Sequence, residues 1–251
     1  MKKNVMMRVA SLLMVCVLAT TCGISGTFAK YITMDDGSDS ARVAKWGVVA
    51  SVDGTLFYDA YQDTKATWTA NEDVATITVQ AKTEGEKVVA PGTKNEEGIT
   101  IVLGGAPEVD VKVTFTFEAA SEIMLSKNTP YTDFTKPTGV DGTGKPVYGN
   151  TFTLTDDYYP VVFTLTKDSA VVASGNVADI QTYLATLNTT YHTNTGMSAI
   201  NGKYVLTWAW DFGTVTPGAV DDVDRADTYL GNEDPLQEID VTLTVIVEQV
   251  D

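Results

Sequence analysis

Residues 109–117 read VDVKVTFTF. Every odd position in this stretch is Val or Phe, and every even position is Asp, Lys or Thr. Because successive side chains of a β-strand point to opposite faces, this alternation predicts a strand with one buried and one wet face. The same alternation recurs on the odd positions of 75–79, 99–103, 159–165 and 239–247 and on the even positions of 204–212. A further strand is expected over residues 42–52, so the chain is predicted to be all-β.

Two segments break the alternation and predict short helices. The first covers residues 177–187, with Asn176 as its N-cap, and the second covers residues 223–230. Many short strands without regularly alternating helices favour two packed sheets. A jelly-roll topology is favoured over an immunoglobulin-like one because the chain has no Cys–Trp–Cys framework. The predicted fold class is therefore all-β, a jelly-roll-like β-sandwich with one or two short inserted helices, preceded by a cleaved signal peptide.

The first 29 residues have the pattern of a secretory signal peptide. A positively charged start precedes an apolar stretch over residues 9–19, which is too short for a permanent membrane span. Thr27 and Ala29 then supply small residues at the −3 and −1 positions of a signal-peptidase site. We expect cleavage after Ala29 or, one residue later, after Lys30. The mature protein is expected to be secreted, extracellular or at the cell surface, with no permanent membrane span.

The charge of the chain excludes one class of partner. The chain of 251 residues has 17 Lys and Arg against 33 Asp and Glu, a formal charge of −16. Removing the leader takes away three basic residues and no acidic one, so the formal charge becomes −19. Nucleic acid is not an expected partner, because phosphate binding needs clustered basic residues. Both cysteines, Cys16 and Cys22, lie in the leader, so the mature chain has no disulfide and depends on core packing.

The sequence lacks the usual catalytic motifs. His192 is the single histidine, so a zinc peptidase with paired histidines cannot be built conventionally. The mature chain has no cysteine nucleophile and no G-x-S-x-G elbow. We therefore interpret His192 as an exposed loop residue, propose no catalytic residue and predict that the protein is not an enzyme.

One acidic cluster is a candidate calcium site. Asp221, Asp222, Asp224 and Asp227 lie within one short stretch, and hard cations are held by several carboxylate oxygens. The stretch lacks the glycine and the distal Glu of the twelve-residue calcium loop. We favour a solvated acidic surface, and no cofactor or metal is expected, with calcium as the alternative.

The aromatic residues suggest a second class of function. Trp208 and Trp210 share one face of a predicted strand with other apolar residues, which favours a core position over a sugar-stacking platform. Trp68, Tyr58 and Tyr61 are better candidates for an exposed aromatic surface. A monomeric cell-surface module that binds carbohydrate or another cell-wall ligand is therefore the alternative function.

The two ends of the chain carry a family resemblance. Residues 23–31 read GISGTFAKY, residues 37–47 read GSDSARVAKWG, and residues 226–232 read ADTYLGN. These stretches and the final strand resemble the TasA/camelysin family of Gram-positive bacteria, whose members are exported through a signal peptidase of the SipW type. The middle of the chain is similar only in its general β pattern.

The resemblance implies a subunit of extracellular fibres of the biofilm matrix that assembles with itself or with a related subunit. The N-terminal segment of each copy would complete the sheet of its neighbour. In this chain the candidate donor strand consists of Tyr31, Ile32, Thr33 and Met34. It belongs to a flexible arm over residues 30–42, and residues 43–251 form a single β-sandwich domain. Metal-dependent peptidase activity, an older claim for camelysin, is a third hypothesis that these residues do not support.

Overall fold

A computed structural model describes residues 43–63, 77–193, 196–211 and 221–250. The predicted leader, its cleavage site and the arm lie outside the described residues, as do Trp68 and Phe212. The described part is mostly β-strand, arranged in antiparallel sheets with two short helices. This confirms the all-β prediction.

The secondary-structure elements are numbered in chain order. The strands are β1 (Val48–Gly54), β2 (Ala60–Asp63), β3 (Ile77–Gln80), β4 (Lys94–Gly105), β5 (Val111–Ser121), β6 (Tyr131–Thr132), β7 (Gly139–Val140), β8 (Pro146–Val147), β9 (Thr151–Phe152), β10 (Val162–Lys167), β11 (Ala170–Gly175), β12 (Thr189–Tyr191), β13 (Gly202–Ala209) and β14 (Asp240–Gln249). The helices are α1 (Val177–Ala185) and α2 (Asp222–Leu230).

Two sheets contain most of the strand residues of the described part. The larger has the strand order β1-β4-β13-β10-β11, and the smaller has the order β12-β5-β14. Three further strand pairs, β2-β3, β6-β9 and β7-β8, form two-stranded sheets. Non-consecutive strands are therefore neighbours in both large sheets, so the chain crosses between them repeatedly.

The central strand of the smaller sheet is the one that the alternation at 109–117 predicts. Val111, Val113, Phe115 and Phe117 on β5 are at most 1% exposed. The rings of Phe115 and Tyr204 lie 6.1 Å apart, and those of Phe117 and Phe163 lie 5.2 Å apart. These contacts join β5 to β13 and β10, so the two large sheets share one core.

A glycine allows β4 and β13 to pair through an irregularity. Gly98 has a φ of +57°, in the left-handed region, and a Cβ there would clash with the carbonyl oxygen of Leu206. The β13 register shifts between Leu206 and Trp208 at this point. Because any other residue would both strain the backbone and clash, the sequence needs glycine here.

Both predicted helices are present. Asn176 caps α1 by accepting a hydrogen bond from the N–H of Asp179 at 3.0 Å. The carboxylate of Asp179 in turn accepts a hydrogen bond from the N–H of Asn176. Ile180 and Leu184 on this helix are fully buried. The second helix begins one residue earlier than predicted, with Asp221 as its N-cap. The helical periodicity and the capping residues therefore predicted the positions of these elements.

The first predicted strand differs from the observed one. β1 covers Val48–Gly54, whereas the sequence predicted a strand over residues 42–52. Gly47 has a φ of +58° immediately before β1, a conformation that interrupts a regular strand. Residues 43–47 are therefore connected to the domain by isolated hydrogen bonds and not by the ladder of β1.

Candidate functional site

The four aspartates of the candidate calcium cluster have separate structural roles. Asp221 caps α2 by accepting a hydrogen bond from the N–H of Asp224 at 2.8 Å. Asp222 lies 2.8 Å from Nη1 of Arg225. In the part of the chain that the structure describes, no group of three or more His, Cys, Asp or Glu side chains is arranged to hold a metal ion. The structure therefore does not bring these four carboxylates together as a calcium site.

Asp227 is the buried member of that cluster. Its side chain accepts hydrogen bonds from the hydroxyl of Tyr158 at 2.6 Å and from Nε1 of Trp210 at 3.0 Å. Burial raises the pKa of the Asp227 carboxyl to about 6, and Asp224 and Asp221 on the same helix also raise it, while the two hydrogen bonds lower it. Burial likewise raises the pKa of Tyr158 above its usual range, so the phenol remains a donor. Asp227 thus joins α2 to the end of β13.

His192 is exposed, as the sequence predicted. Its side chain is 62% exposed, and Nδ1 lies 2.6 Å from Oδ2 of Asp110. Asp110 also accepts the N–H of Thr193 at 2.9 Å. These hydrogen bonds hold the pKa of the Asp110 carboxyl below its usual range, and the bond from His192 has the largest effect. The pair connects the start of β5 to the loop that follows β12.

The structure confirms the predicted burial of the tryptophan pair but not the predicted exposure of Tyr61. Trp208 and Trp210 are 2% and 4% exposed, which confirms their core position. Tyr61, predicted to be exposed, is 7% exposed, and its ring packs edge-on against Trp208 at 5.5 Å. Tyr58 is half-buried. The prediction for Tyr61 was wrong because β2 places the Tyr61 ring against Trp208 at the end of the core.

One edge of β5 is closed by side chains of the α1 region. Asn188 accepts the N–H of Phe115 at 2.6 Å and donates its Nδ2 to the carbonyl of Phe115 at 3.0 Å. Gln181 accepts the N–H of Phe117 at 2.6 Å. Beyond the short β12, these amides take the place of a neighbouring strand. At Phe115 and Phe117 the side of β5 that faces α1 is therefore unavailable to another strand.

The stability effect of this closure can be measured. Asn188→Ala should lower the free energy of unfolding by about 1–3 kcal/mol, because it leaves the main-chain N–H and C=O of Phe115 without partners beside the core. Urea unfolding followed by circular dichroism would give the value. Asn232→Ala is the control, since the Asn232 amide bonds the carbonyl of Thr228 at an exposed helix end. Equal losses from the two variants would contradict the role given to Asn188.

The opposite edge of the smaller sheet is formed by β14. Val250 donates its N–H to the carbonyl of Asp110 at 3.0 Å, in line with the antiparallel pairing of β14 and β5. In such a ladder alternate residues point their main-chain groups toward the partner strand, here the even-numbered residues of β14. The N–H and C=O groups of Leu243, Val245 and Val247 therefore point away from β5. Among the described residues, no strand pairs with this edge.

The core-facing side of β14 is incompletely covered. Val241, Leu243, Val245 and Val247 share a face with the buried row of β5, yet each of the four is only half-buried. A strand beside β14 would cover them, and completing their burial is worth about 1 kcal/mol for each. The sequence does not show this difference, because β14 alternates as cleanly as a fully covered strand.

The larger sheet exposes part of its core-facing side at β1, which no described strand or helix covers. Val52 on β1 pairs with the fully buried Ile101 and so faces the core side, but it is 49% exposed. Ala50, paired with Leu103, is also exposed. Since β5 lies over β13 and β10, and α1 packs against β10 and β11, β1 lies beyond the part of the larger sheet that these elements cover.

We call this open space the β14 groove. Its walls are the side of β14 with which no described strand pairs, with Val241, Leu243, Val245 and Val247, and the core-facing side of β1, with Ala50 and Val52. The β14 groove offers main-chain N–H and C=O groups along β14 and an aliphatic surface formed by the side chains of β14 and β1. Such a surface suits an extended peptide with alternating apolar side chains.

No protein-family model, curated protein or solved structure matches the chain. The likeness to the TasA/camelysin family therefore stays a prediction from the two ends of the sequence. Neither helix in the described ranges is long and apolar enough to cross a membrane. The β14 groove is the feature that the geometry offers for a function.

Proposed function

We propose that this protein is a secreted structural protein, a subunit of an extracellular fibre of the biofilm-matrix type. Copies of the chain, or a copy and a related subunit, assemble when the N-terminal arm of one enters the β14 groove of the next. The single observation that carries the proposal is the half-buried row of β14 on an edge with which no described strand pairs, together with the exposed core-facing side of β1.

The candidate donor strand matches the chemistry of the groove. Ile32 and Met34 alternate with Tyr31 and Thr33, so a strand over these residues has one apolar side. With Ile32 and Met34 directed toward Val52, the main chain can pair with the outward-pointing groups of β14. Main-chain pairing supplies affinity, and the alternate side chains set the register.

An added strand would give the smaller sheet a fourth member. The resulting pair of packed antiparallel sheets supports a jelly-roll-like β-sandwich as the finer description of the fold. Donation from one copy to the next is a head-to-tail contact, and such contacts produce open filaments when the rotation between copies does not close a ring.

Export would control when the arm becomes available. In the precursor the arm continues into the leader, and cleavage after Ala29 or Lys30 by a signal peptidase of the SipW type frees its N-terminus. Assembly would then take place outside the cell. A subunit of this kind needs no catalytic residue and no metal, and we propose neither.

Electron microscopy of the mature chain tests the proposal. Residues 30–251 should form filaments on concentration, whereas residues 42–251, which keep the whole described core, should remain monomeric because they lack the donor strand. Monomers from both proteins, together with binding to a glycan array, would replace the fibre subunit with the carbohydrate-binding module.

A variant at the acceptor edge tests the same contact from the other side. Val245→Pro should abolish filaments of residues 30–251 while leaving the domain folded, because the N–H of Val245 points away from β5 and its loss breaks no bond within the sheet. Val245→Ala is the matched control, since it loses similar aliphatic contact and keeps the N–H. Filaments of normal length from Val245→Pro would contradict β14 as the acceptor.

A further inference from the structure

The arm joins the domain beside the end of β14. Glu108 donates its N–H to the carbonyl of Lys45 at 2.8 Å, and Lys45 donates its N–H to Oε2 of Glu108 at 2.9 Å. Val250 donates to the carbonyl of Asp110, two residues further along the same segment. Two residues of extended chain span about 7 Å. The segment at Lys45, to which the arm is joined, and the C-terminal end of β14 are therefore neighbours.

The arm is long enough to cover the groove of its own copy. Residues 30–42 span at most about 43 Å when extended. β14 has 10 residues and a length of about 34 Å. The extended arm is therefore about 9 Å longer than β14, which is enough to connect Val43, where the described domain begins, to the groove. A strand laid in this way runs in the same direction as β14, because its C-terminal end lies at the C-terminal end of β14.

The charges at the two ends of this arrangement are complementary. The N-terminal end of β14 carries the exposed carboxylates of Glu238 and Asp240. After cleavage the arm begins with a free α-amino group, at Lys30 or at Tyr31. An arm parallel to β14 places this positive terminus near those carboxylates, and Ile32 and Met34 over the aliphatic surface.

We propose that in a single copy the chain's own arm occupies the β14 groove as a parallel strand, so that the monomer is capped until the arm of another copy replaces it. This inference rests on the groove of the proposed function and adds its regulation. A short flexible tether gives an effective concentration on the order of 1 mM, so the capped form dominates in micromolar solutions. An arm from a second copy is free to pair antiparallel, which is slightly more stable per residue.

Binding of a labelled peptide tests the capping. The probe is a fluorescent peptide of residues 30–42, and its binding is measured by anisotropy at protein concentrations where size-exclusion chromatography shows monomer. The protein is the mature chain, residues 30–251, compared with its double variant Ile32→Asp and Met34→Asp. The variant's own arm cannot rest on the aliphatic surface, while the described domain is unchanged. Thr33→Asp, on the polar side of the arm, is the matched control.

The expected result is tight binding of the peptide to the double variant and binding about 100-fold weaker to the unaltered chain and to Thr33→Asp. The factor is the effective concentration of the tethered arm, about 1 mM, divided by a dissociation constant of about 10 μM for the free peptide. Equal affinities for the unaltered chain and the double variant would overturn the capping and leave the proposed function intact. Binding to none of the proteins would overturn both, because the groove would then not accept this strand.

Discussion

Asp227→Asn should raise the free energy of unfolding at pH 7 by about 2–3 kcal/mol. The carboxyl is 9% exposed, and burial raises its pKa from the ordinary value of 3.8 to about 6. A shift of that size means that folding must bury a charge at neutral pH, at about 1.4 kcal/mol for each pH unit. An amide oxygen can accept the same bonds from Tyr158 and Trp210 without carrying that charge.

The pH dependence of stability follows from the same shift. A pKa raised in the folded state means that the folded protein binds the proton more tightly than the unfolded chain. This contribution is fully present below pH 3.8 and is lost as the pH rises through about 6. Asp224 and Asp221 oppose the charged form from the same helix, while the guanidinium of Arg225 is engaged by Asp222 and Asp133. Asp227→Asn should remove this part of the slope between pH 4 and pH 6.

Urea unfolding at several pH values between 4 and 8 would measure both effects. Asp224→Asn is the control, because it removes a negative charge from α2 without touching Tyr158 or Trp210. We expect that control to change stability by less than about 1 kcal/mol. A loss of stability in Asp227→Asn at pH 7 would show that the ionised carboxylate contributes more through its two hydrogen bonds than its burial costs.

Trp208→Ala should lower the free energy of unfolding by about 3–5 kcal/mol, the usual range for removing a buried aromatic side chain. The Trp208 ring packs 5.5 Å from the rings of both Phe57 and Tyr61. Its Nε1 also donates to the carbonyl of Leu56 at 2.6 Å. The substitution therefore leaves a cavity, and the Leu56 carbonyl keeps only its second hydrogen bond, from Nδ2 of Asn95 at 2.8 Å.

Guanidinium unfolding followed by far-ultraviolet circular dichroism would measure this loss. Trp46→Ala is the control, since Trp46 is 42% exposed and its removal should cost about 1 kcal/mol or less. For a domain whose total stability is about 5–15 kcal/mol, the loss at Trp208 is a large share. Similar losses from the two variants would contradict the central position of Trp208 in the core.

Local pattern was enough to predict much of the fold. The alternation at 109–117 predicted β5 and its buried face, and Asn176 predicted the start of α1. Both signals depend on the backbone conformation of a few neighbouring residues, so they are visible in the sequence. The buried positions of Trp208 and Trp210 followed from the apolar row on β13 for the same reason.

Features that depend on distant partners were not predictable in this way. Asp227 was grouped with three neighbouring aspartates, because the sequence does not show that Tyr158 and Trp210 meet it in space. Tyr61 was expected on the surface, since its burial depends on the packing of the β2-β3 pair against Trp208. The edge of β14 with which no described strand pairs is of the same kind, because alternation shows which side of a strand faces the core and not how completely that side is covered.

The hydrogen bonds that Gln181 and Asn188 form with β5 make the two sides of the smaller sheet different from each other. Because one side of β5 is occupied by the three-residue β12 and by amide side chains, β14 is the long edge with which no described strand pairs, and we expect each copy to accept a single strand and offer a single arm. The proposed fibre is therefore polar, with a vacant groove at its head and an unused arm at its tail. A copy without an arm can join only at the tail, where it ends growth, so the ratio of armless to complete copies would set the length of the fibre.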